Sequence, residues 1–558
     1  MRCKAGIQQT ILFSAAFALL LATTAQAAAK SKYRPANLST PSSPNASLTK
    51  PPVAEPLDPN APSKPIIPTT PVNEPYDPNA LPRTTIPKAQ AIGPVDLNTP
   101  LIPTRPNAQA IEPFDPNAPL IPTKPKAPTI EPFDPNAPLI PAIATTTPVK
   151  EPFDPNAPPR TTIPIGPNLL FGGFAELQAD TKRRYGLNAQ PDDATSIFIP
   201  KFSPAFSYDP NQYLQIYANP TIEMPVAFEE TVDNTQTPAV KLNLAFLTLK
   251  NIVDGARLQV GRQRFIDNRR WLFNENMDAA RLAYQYENVS LELSASRLDL
   301  FQRDLLNRER KDTGETFINY YSYLDYKFGK KNHIGLFALY QDEQLLDQKH
   351  PIFFGLQSEG RILKHLRYWV QTAIVRGTDN TKHIRGEAID VGLTQVFDHA
   401  MEPSITVGYA YGTGDGNPND NVDTSFRQSG FQGNSDKFNG VARFKYYGEV
   451  LDPRLSNIMI FTGGVGIRPG EKTSYDLVYH YYLQDHAVPK ISGSDLTTDP
   501  AGLSKHVGSG LDFIAGYQEI AALQTKFVLG YFSPGKAFAD TSRGDAFLAS
   551  ILFRYNFY

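Results

Sequence analysis

From Phe547 to Tyr558 the chain alternates without a break. A period of two sends successive side chains to opposite faces of a strand. Phe547, Ala549, Ile551, Phe553, Tyr555 and Phe557 therefore share one face, and Leu548, Ser550, Leu552, Arg554, Asn556 and Tyr558 share the other. The first face is apolar or aromatic throughout, while the second carries an arginine and an asparagine. This is the pattern of the closing strand of an outer-membrane β-barrel, apolar toward lipid and polar toward a wet lumen, with aromatics at the interface. An edge strand of a soluble sandwich has the same period, so the rest of the chain must separate the two.

The N-terminal segment favours the barrel. Arg2 and Lys4 precede an apolar run from Ile11 to Ala22, followed by the small-x-small triplet Ala25-Gln26-Ala27. Residues 1–27 read as a secretory signal peptide with a mature start at Ala28, since the run is too short to span a bilayer. The single cysteine, Cys3, lies inside that segment, so the mature chain is expected to carry neither a disulfide nor a thiolate metal site. Beyond the signal no apolar run reaches eighteen residues. An exported, strand-rich chain of this kind can still cross a membrane by closing a sheet on itself, which satisfies every backbone hydrogen bond in lipid. The formal net charge of −2 gives no basic profile of the kind that nucleic-acid binding requires.

Residues 28–167 form a proline-rich arm. Glu55-Pro56-Leu57-Asp58-Pro59-Asn60 recurs at Glu74, Glu112, Glu131 and Glu151, with a degenerate copy at Gly93, in steps of 19 residues and a last step of 20. Of the 51 prolines, 36 lie at or before Pro167. Proline fixes φ and removes an amide donor, so neither helix nor sheet propagates through such a density. Each unit also has too little apolar surface for a core. Extended polyproline II or disorder is the expected state, and the arm has the reach to cross a periplasm. It reads either as an inert linker or as a tether to a periplasmic partner or the cell wall.

Residues 168–558 hold only 15 prolines and repeat the period-two signal. Ile405, Val407, Tyr409 and Tyr411 alternate with Ser404, Thr406, Gly408 and Ala410; Tyr475, Leu477, Tyr479, Tyr481 and Leu483 alternate with Asp476, His480 and Gln484; and Leu282, Tyr284 and Tyr286 oppose Arg281, Gln285 and Glu287. At roughly 20 to 24 residues per strand and loop, this region is expected to form an all-β barrel of about 16–18 antiparallel strands. A barrel that wide encloses an aqueous channel unless loops fill it.

If the aromatic faces point to lipid, the opposite faces name the lumen. Glu176, Gln178 and Asp180 share one face near the first strand. A strand over Gly440–Tyr447 would send Ala442, Phe444 and Tyr446 outward and Arg443 and Lys445 inward, and Arg281 faces inward beside Leu282. Strict alternation from Leu258 sends Arg262 and Arg264 toward lipid, where a charge costs roughly 2–4 kcal/mol at the midplane. A bulge at Gly261, or a strand end there, is therefore expected. Inward arginines attract anions, although a ladder of ion pairs with Asp and Glu would use the same residues.

Two ordered blocks carry a family resemblance. The first is Gly261-Arg262-Gln263-Arg264-Phe265 with Trp271, Asn274, Asn276-Met277-Asp278 and Arg281-Leu282. The second runs from Gly408-Tyr409-Ala410 through Phe426-Arg427-Gln428-Ser429-Gly430-Phe431-Gln432-Gly433-Asn434 to Phe438, Arg443, Tyr447-Gly448-Glu449, Leu455-Ser456-Asn457 and Leu477-Val478-Tyr479-His480. Over about Asn168 to Tyr558 the chain resembles the alginate export porins. The resemblance implies an eighteen-stranded, monomeric outer-membrane barrel whose narrow arginine-rich constriction passes an acidic polysaccharide. It also implies Arg262 or Arg264 and Arg443 as pore-lining residues, with Glu449 as a carboxylate that holds them in place. Arg281 and Lys445 complete the candidate lining from alternation. Residues 168–558 carry 40 Lys and Arg against 45 Asp and Glu, so any basic constriction is local.

Rival readings remain open at this level. A general porin, or one for small organic anions or hydrophobic compounds, shares the barrel pattern. An outer-membrane enzyme would need a nucleophile with its base or an acid pair, and the eight histidines are scattered with no such motif, so no catalytic residue and no cofactor is expected. The loop from Gly414 to Asp423 places Asp415, Asp420 and Asp423 close together, the weak outline of a calcium site without an EF-hand's glycine and closing glutamate. The lone inward His480 reads as a structural hydrogen-bonder.

Overall fold

The computed structural model describes residues 158–188, 194–228, 238–298, 300–301, 303–306, 317–329, 331–343 and 348–558. The signal segment and the five copies of the arm repeat lie outside them. Eighteen antiparallel strands close into a barrel, the first, Leu169–Arg183, pairing with the last, Ala546–Phe557. Their register runs from Gly173 opposite Phe557 to Arg183 opposite Phe547. A short strand, Thr161–Gly166, precedes them and pairs with the start of Leu169–Arg183.

The closing strand divides as its alternation predicts. Phe553 and Tyr555 are 41% and 54% exposed on the outer face, whereas Ser550 between the same neighbours is 9% exposed and faces inward. Leu477, Tyr479, Ile405, Val407, Leu336 and Leu529 are likewise exposed outward, and His480, Asp390 and Asp512 are buried inward. A belt of exposed apolar side chains around a sheet without edges fits a lipid environment, where every strand finds partners on both sides.

Turns at one rim are short (residues 212–213, 287–288 and 471–472), and both barrel termini lie at that rim. The opposite rim carries long connections, notably 413–457 and 485–505. In outer-membrane barrels the short-turn rim faces the periplasm.

The lumen is filled by two inward segments. The turn 267–273 is organised by Asp267, whose carboxylate accepts the backbone N–H groups of Trp271, Leu272 and Phe273 at 2.9, 2.9 and 2.7 Å. The connection 413–457 descends through the whole barrel. Gln428 donates to the Trp271 carbonyl near the upper turn (3.0 Å). Near the short-turn rim Arg367 donates to the Phe438 carbonyl (2.8 Å), Asn439 to that of Glu402 (3.2 Å), and Gln518 to that of Val441 (3.3 Å). The segment then climbs back, and the Arg454 N–H reaches the Ser492 carbonyl (2.8 Å).

This connection corrects one expectation. Gly440–Tyr447 is no wall strand, and only Phe444–Lys445 pairs, with Ser435–Asp436 inside the lumen. Ala442, Phe444 and Tyr446 are buried, but in the core of the plug instead of against lipid. The alternation is real, and its apolar face meets Phe438 and neighbouring lumen aromatics (Phe438–Phe444 centroids 5.1 Å). Burying such rings on one another removes as much apolar area from water as a wall would, about 1.5–3 kcal/mol per large side chain.

Candidate functional site

The site begins where the wall forks. Ala239–Lys250 and Ala256–Ile266 pair only as far as Ala245 opposite Arg262, although Ala256–Ile266 stays paired with Asn274–Tyr286 to its end. Above the fork the edge of Ala239–Lys250 takes a different neighbour. Leu242 N–H donates to the Arg303 carbonyl (3.0 Å), Leu305 N–H to that of Val240 (2.8 Å), and Lys241 bridges to Asp304. The hairpin formed by Ala256–Ile266 and Asn274–Tyr286 thus leans into the lumen, and Arg303–Leu305 pairs in its place.

Gly261 sits at the fork with φ of 121°, and a Cβ there would meet the Ala245 carbonyl oxygen. Only glycine takes that backbone without strain. No register shift marks a bulge at this point. The arginine problem posed by alternation is solved instead by the hairpin peeling inward, so that the face below the fork that meets lipid (Val260, 46% exposed) becomes a lumen face above it.

The candidate residues distribute accordingly. Arg262 lies at the fork itself, 2% exposed, and donates to both Asp278 carboxylate oxygens (2.9 and 2.8 Å), to the Leu242 carbonyl (3.1 Å) and to that of Phe301. It faces no aqueous opening. Arg264, two residues on, lines a cavity of about 280 Å³ together with Arg270, Arg554 and Arg160. Arg281 lies on the other face of the hairpin, paired with Glu292 (2.8 Å) and 4.6 Å from the Phe265 ring centroid.

Arg443 lines a second cavity of about 360 Å³ with Asn268, Lys331, Arg361, Arg367 and Lys437. Its guanidinium donates to the carbonyls of Asn268 and Ser435 and to Asp436 (3.0, 3.2 and 3.0 Å). Lys445 pairs with Asp452 (2.6 Å). Where the resemblance implies a carboxylate holding the arginines, the structure gives Glu449 a different neighbourhood. Its carboxylate accepts the Lys445 N–H (3.0 Å) and its own N–H donates to Asp512 (3.1 Å), which docks the rising limb of the plug onto the wall.

Arg270 joins the smaller cavity to the plug. It donates to Ser435 Oγ (3.2 Å) in the plug while lining the smaller cavity. Burial pushes its guanidinium down to about 10, and the charges of Arg443, Arg264 and Arg554 add to that shift. Like charges disfavour one another, so a place where other guanidiniums bear on Arg270 is also one where an anion is welcome. Arg554 is partly neutralised by Glu176, which its Nε meets at 2.7 Å, and Glu176 also pairs with Lys201 (3.4 Å).

Its neighbour Arg269 has another task. Fully buried, it pairs with Asp390 and Asp436 (3.4 and 3.1 Å) and lies 4.4 and 4.1 Å from the ring centroids of Trp369 and Tyr446. It fastens the turn 267–273 to the wall and to the plug together. Trp369 also donates to Asp390 (2.7 Å), and His480 is fully buried against the Thr462 hydroxyl (3.1 Å). The acidic loop is turned on itself: Asp415 accepts the Asn417 N–H (3.1 Å), Asp420 that of Val422 (2.8 Å), and Asp423 pairs with Arg427. Among the described residues no three His, Cys, Asp or Glu side chains converge as a metal site would need.

Sequence reasoning placed Arg554 on the polar face of its strand but not in the site, because its partners across the lumen have no sequence signal. Arg270 and the residues around Lys437 lie in irregular segments, where no period announces a face.

Among solved structures, 239 chains match this fold. The vanillate-bound OpdK of Pseudomonas aeruginosa is 12% identical, with a TM-score of 0.46 over 70% of this chain and 98% of that one. The BenF-like porin of Pseudomonas fluorescens Pf-5 is also 12% identical, with a TM-score of 0.47 over 70% of this chain and 98% of that one. A comparison with curated proteins yields no match. The family comparison is decisive: residues 208–546, more than half of the sequence, match the model described as alginate export, and the chain belongs to that family.

Proposed function

We propose that this outer-membrane channel passes an acidic, alginate-like polysaccharide by passive diffusion, with Arg264, Arg270, Arg443 and Arg554 forming the constriction. The observation that carries the reading is that Arg264, Arg270 and Arg554 line one cavity and Arg443 another, near enough that the charges of the other three bear on Arg270. Planar guanidiniums suit carboxylates, and several partners of moderate strength let a polymer step from one to the next instead of stopping at a single tight site. Diffusion needs no catalytic residue and no cofactor, so the reading is of a channel and not of an enzyme.

The second reading is a porin for small organic anions, and the size of the cavities favours it. A pocket of about 280 Å³ holds a small carboxylate, whereas a polysaccharide needs the plug to yield.

Single-channel recording in a planar bilayer separates the two. Polymer passage predicts a small anion-selective current, blocked by uronate oligomers with an affinity that rises with oligomer length and weakened in Arg264→Gln/Arg443→Gln. A block by monouronate as strong as that by long oligomers supports the small-anion porin. A large unselective current indifferent to both would sink either reading.

A further inference from the structure

The hairpin that leaves the wall at the fork has a cavity on each of its two faces. Successive residues of a strand face opposite ways, so Arg264 and Phe265 part company. Arg264 lines the guanidinium cavity, while Phe265 and Arg281 line a separate space of about 230 Å³. Its far side is wall, built from the strands Val289–Arg297, Phe317–Phe328 and Lys349–Arg361. Lys327, exposed, also lines it, and the Lys327 N–H donates to the carbonyl of Asn288 in a turn of the short-turn rim (2.8 Å). The cavity therefore opens toward that rim.

Its internal charges are already matched. Arg281 pairs with Glu292 (2.8 Å), His333 Nδ1 lies 2.9 Å from Asp325, and Asp267 is spent on its three backbone N–H groups. No group of guanidiniums draws an anion here, in contrast to the Arg264 cavity. Two polar atoms on its lining have no hydrogen-bond partner among the described residues: Nε2 of Gln357, a residue only 6% exposed, and Oε1 of Glu292. The amide needs an acceptor and the carboxylate needs a donor. An anion would serve the first and be repelled by the second, and an ammonium the reverse. A hydroxyl both donates and accepts, so a ligand that carries hydroxyls serves both.

Spacing and shape narrow the ligand further. Glu292 lies opposite Tyr323, and Gln357 lies opposite Gly335. Three strand-to-strand steps separate Glu292 from Gln357, roughly 14 Å between backbones. One alcohol or carboxylate does not reach both side chains, whereas a ring with hydroxyls on opposite edges does. Between them lies an aromatic floor. The Tyr323 ring rests over Gly335, where any Cβ would meet its hydroxyl, and runs nearly parallel to that of Tyr321 (centroids 6.2 Å, 9°). A pyranose offers an apolar C–H face to such a ring and hydroxyls at its rim. We propose that this cavity binds a single uncharged hexose ring, stacked on Tyr323 and held at its two edges by Glu292 and Gln357. Its volume suits one small ring and not a chain segment. A free hexose and an uncharged unit of a longer glycan share this chemistry. The site is independent of the guanidinium constriction.

Equilibrium dialysis of the full mature chain in detergent micelles tests this, with radiolabelled methyl α-D-glucoside and methyl α-D-mannoside as probes. Heat-modifiable migration on gels checks the folding of each protein. Saturable binding is expected, displaced by unlabelled hexose and not by glucuronate at the same concentration. Tyr323→Phe keeps the ring and should bind as the unsubstituted chain does. Tyr323→Leu keeps the bulk without a flat face, and Gln357→Leu removes the donor; each should weaken binding at least about tenfold. Arg264→Gln should leave it unchanged. Absence of saturable binding, equal binding by all of these proteins, displacement by glucuronate as strong as by hexose, or a loss confined to Arg264→Gln overturns the proposal. Maltose and maltotriose then identify the source: affinity that rises with length means a unit of a glycan, and equal affinity means a free hexose, with the site upheld in both cases. Uronate block of the channel, measured on Gln357→Leu, keeps the two readings apart, since it should persist where hexose binding is lost.

Discussion

The wall and the plug are built from the same kinds of residue and held by different forces. In the wall, aromatic and aliphatic side chains such as Tyr479 and Leu336 face outward, and each strand is fixed by a ladder of backbone hydrogen bonds on both sides. In the plug, aromatics pack on aromatics (Phe438 on Phe444, Tyr446 on Tyr447, Phe426 on Trp271 of the inward turn), and the backbone is fixed by side chains reaching from the wall. A ladder tolerates the loss of one side chain; a plug hung from a few contacts does not. The fork at Gly261 belongs to both, since it is where a piece of wall turns into lumen.

The largest effect is expected at the fork. Arg262→Met leaves the Asp278 carboxylate buried with only the Phe301 N–H as its described partner (3.0 Å). Breaking a buried pair from one side costs about 3–5 kcal/mol, whereas replacing both partners by apolar residues is close to neutral. Urea unfolding in lipid vesicles should therefore show a marked loss for Arg262→Met and a largely recovered stability for Arg262→Met/Asp278→Leu. Equal loss in both would mean that the charge pair itself, and not the penalty of an orphaned carboxylate, closes the fork.

Next comes Gly261→Ala. A residue with a side chain at φ of 121° carries strain of about 1–3 kcal/mol, and its Cβ meets the Ala245 carbonyl. The same unfolding measurement should place it between the two proteins above. A neutral result would show that the hairpin can lean inward without this glycine.

Phe438→Ala tests the plug alone. The ring stacks on Trp369 (centroids 5.7 Å) close to the short-turn rim. Removing it should cost little global stability, below about 1 kcal/mol, because the strand ladders remain, while the conductance rises and becomes noisier. If the barrel unfolds at clearly lower urea instead, wall and plug form one cooperative unit.

How much of this the sequence made legible follows the same division. Wall strands announce themselves because lipid on one side and water on the other force a period of two, as in Phe547–Phe557. Arg264 was legible as an anomaly: an arginine on a lipid-facing parity that needed an exception in the backbone. The exception turned out to be a tilted hairpin, since pairing to one neighbour can end while pairing to the other continues, and no local pattern encodes that. Gly440–Tyr447 misled for a related reason. A buried aromatic face inside a lumen and a lipid-exposed one have the same alternation, and only the partners across the barrel distinguish them. Arg270 and Arg554 meet through tertiary structure alone, from positions 284 residues apart in the chain numbering.

The smallest predicted effect probes the electrostatics where wall and plug meet. Arg270 is pushed down to about 10 by burial, then by Arg443 and Arg264, from a usual value near 12.5. Its pKa is lower in the fold than in the unfolded chain, so the fold disfavours the charged form. That penalty is present below about pH 10 and lifts as the pH rises through it, so this group removes no stability on the alkaline side. Selectivity moves the other way. Above about pH 10 Arg270 loses its charge, and the preference for anions should fall by a part. Reversal potentials recorded from about pH 8 to about pH 11 would reveal that step, and Arg270→Gln should start from the lower selectivity and lack it. Lys437 is also lowered, by burial and then by Arg443, so Lys437→Gln serves as the companion protein. A step that survives in Arg270→Gln and vanishes in Lys437→Gln would move the sensitive charge from the turn 267–273 to the plug.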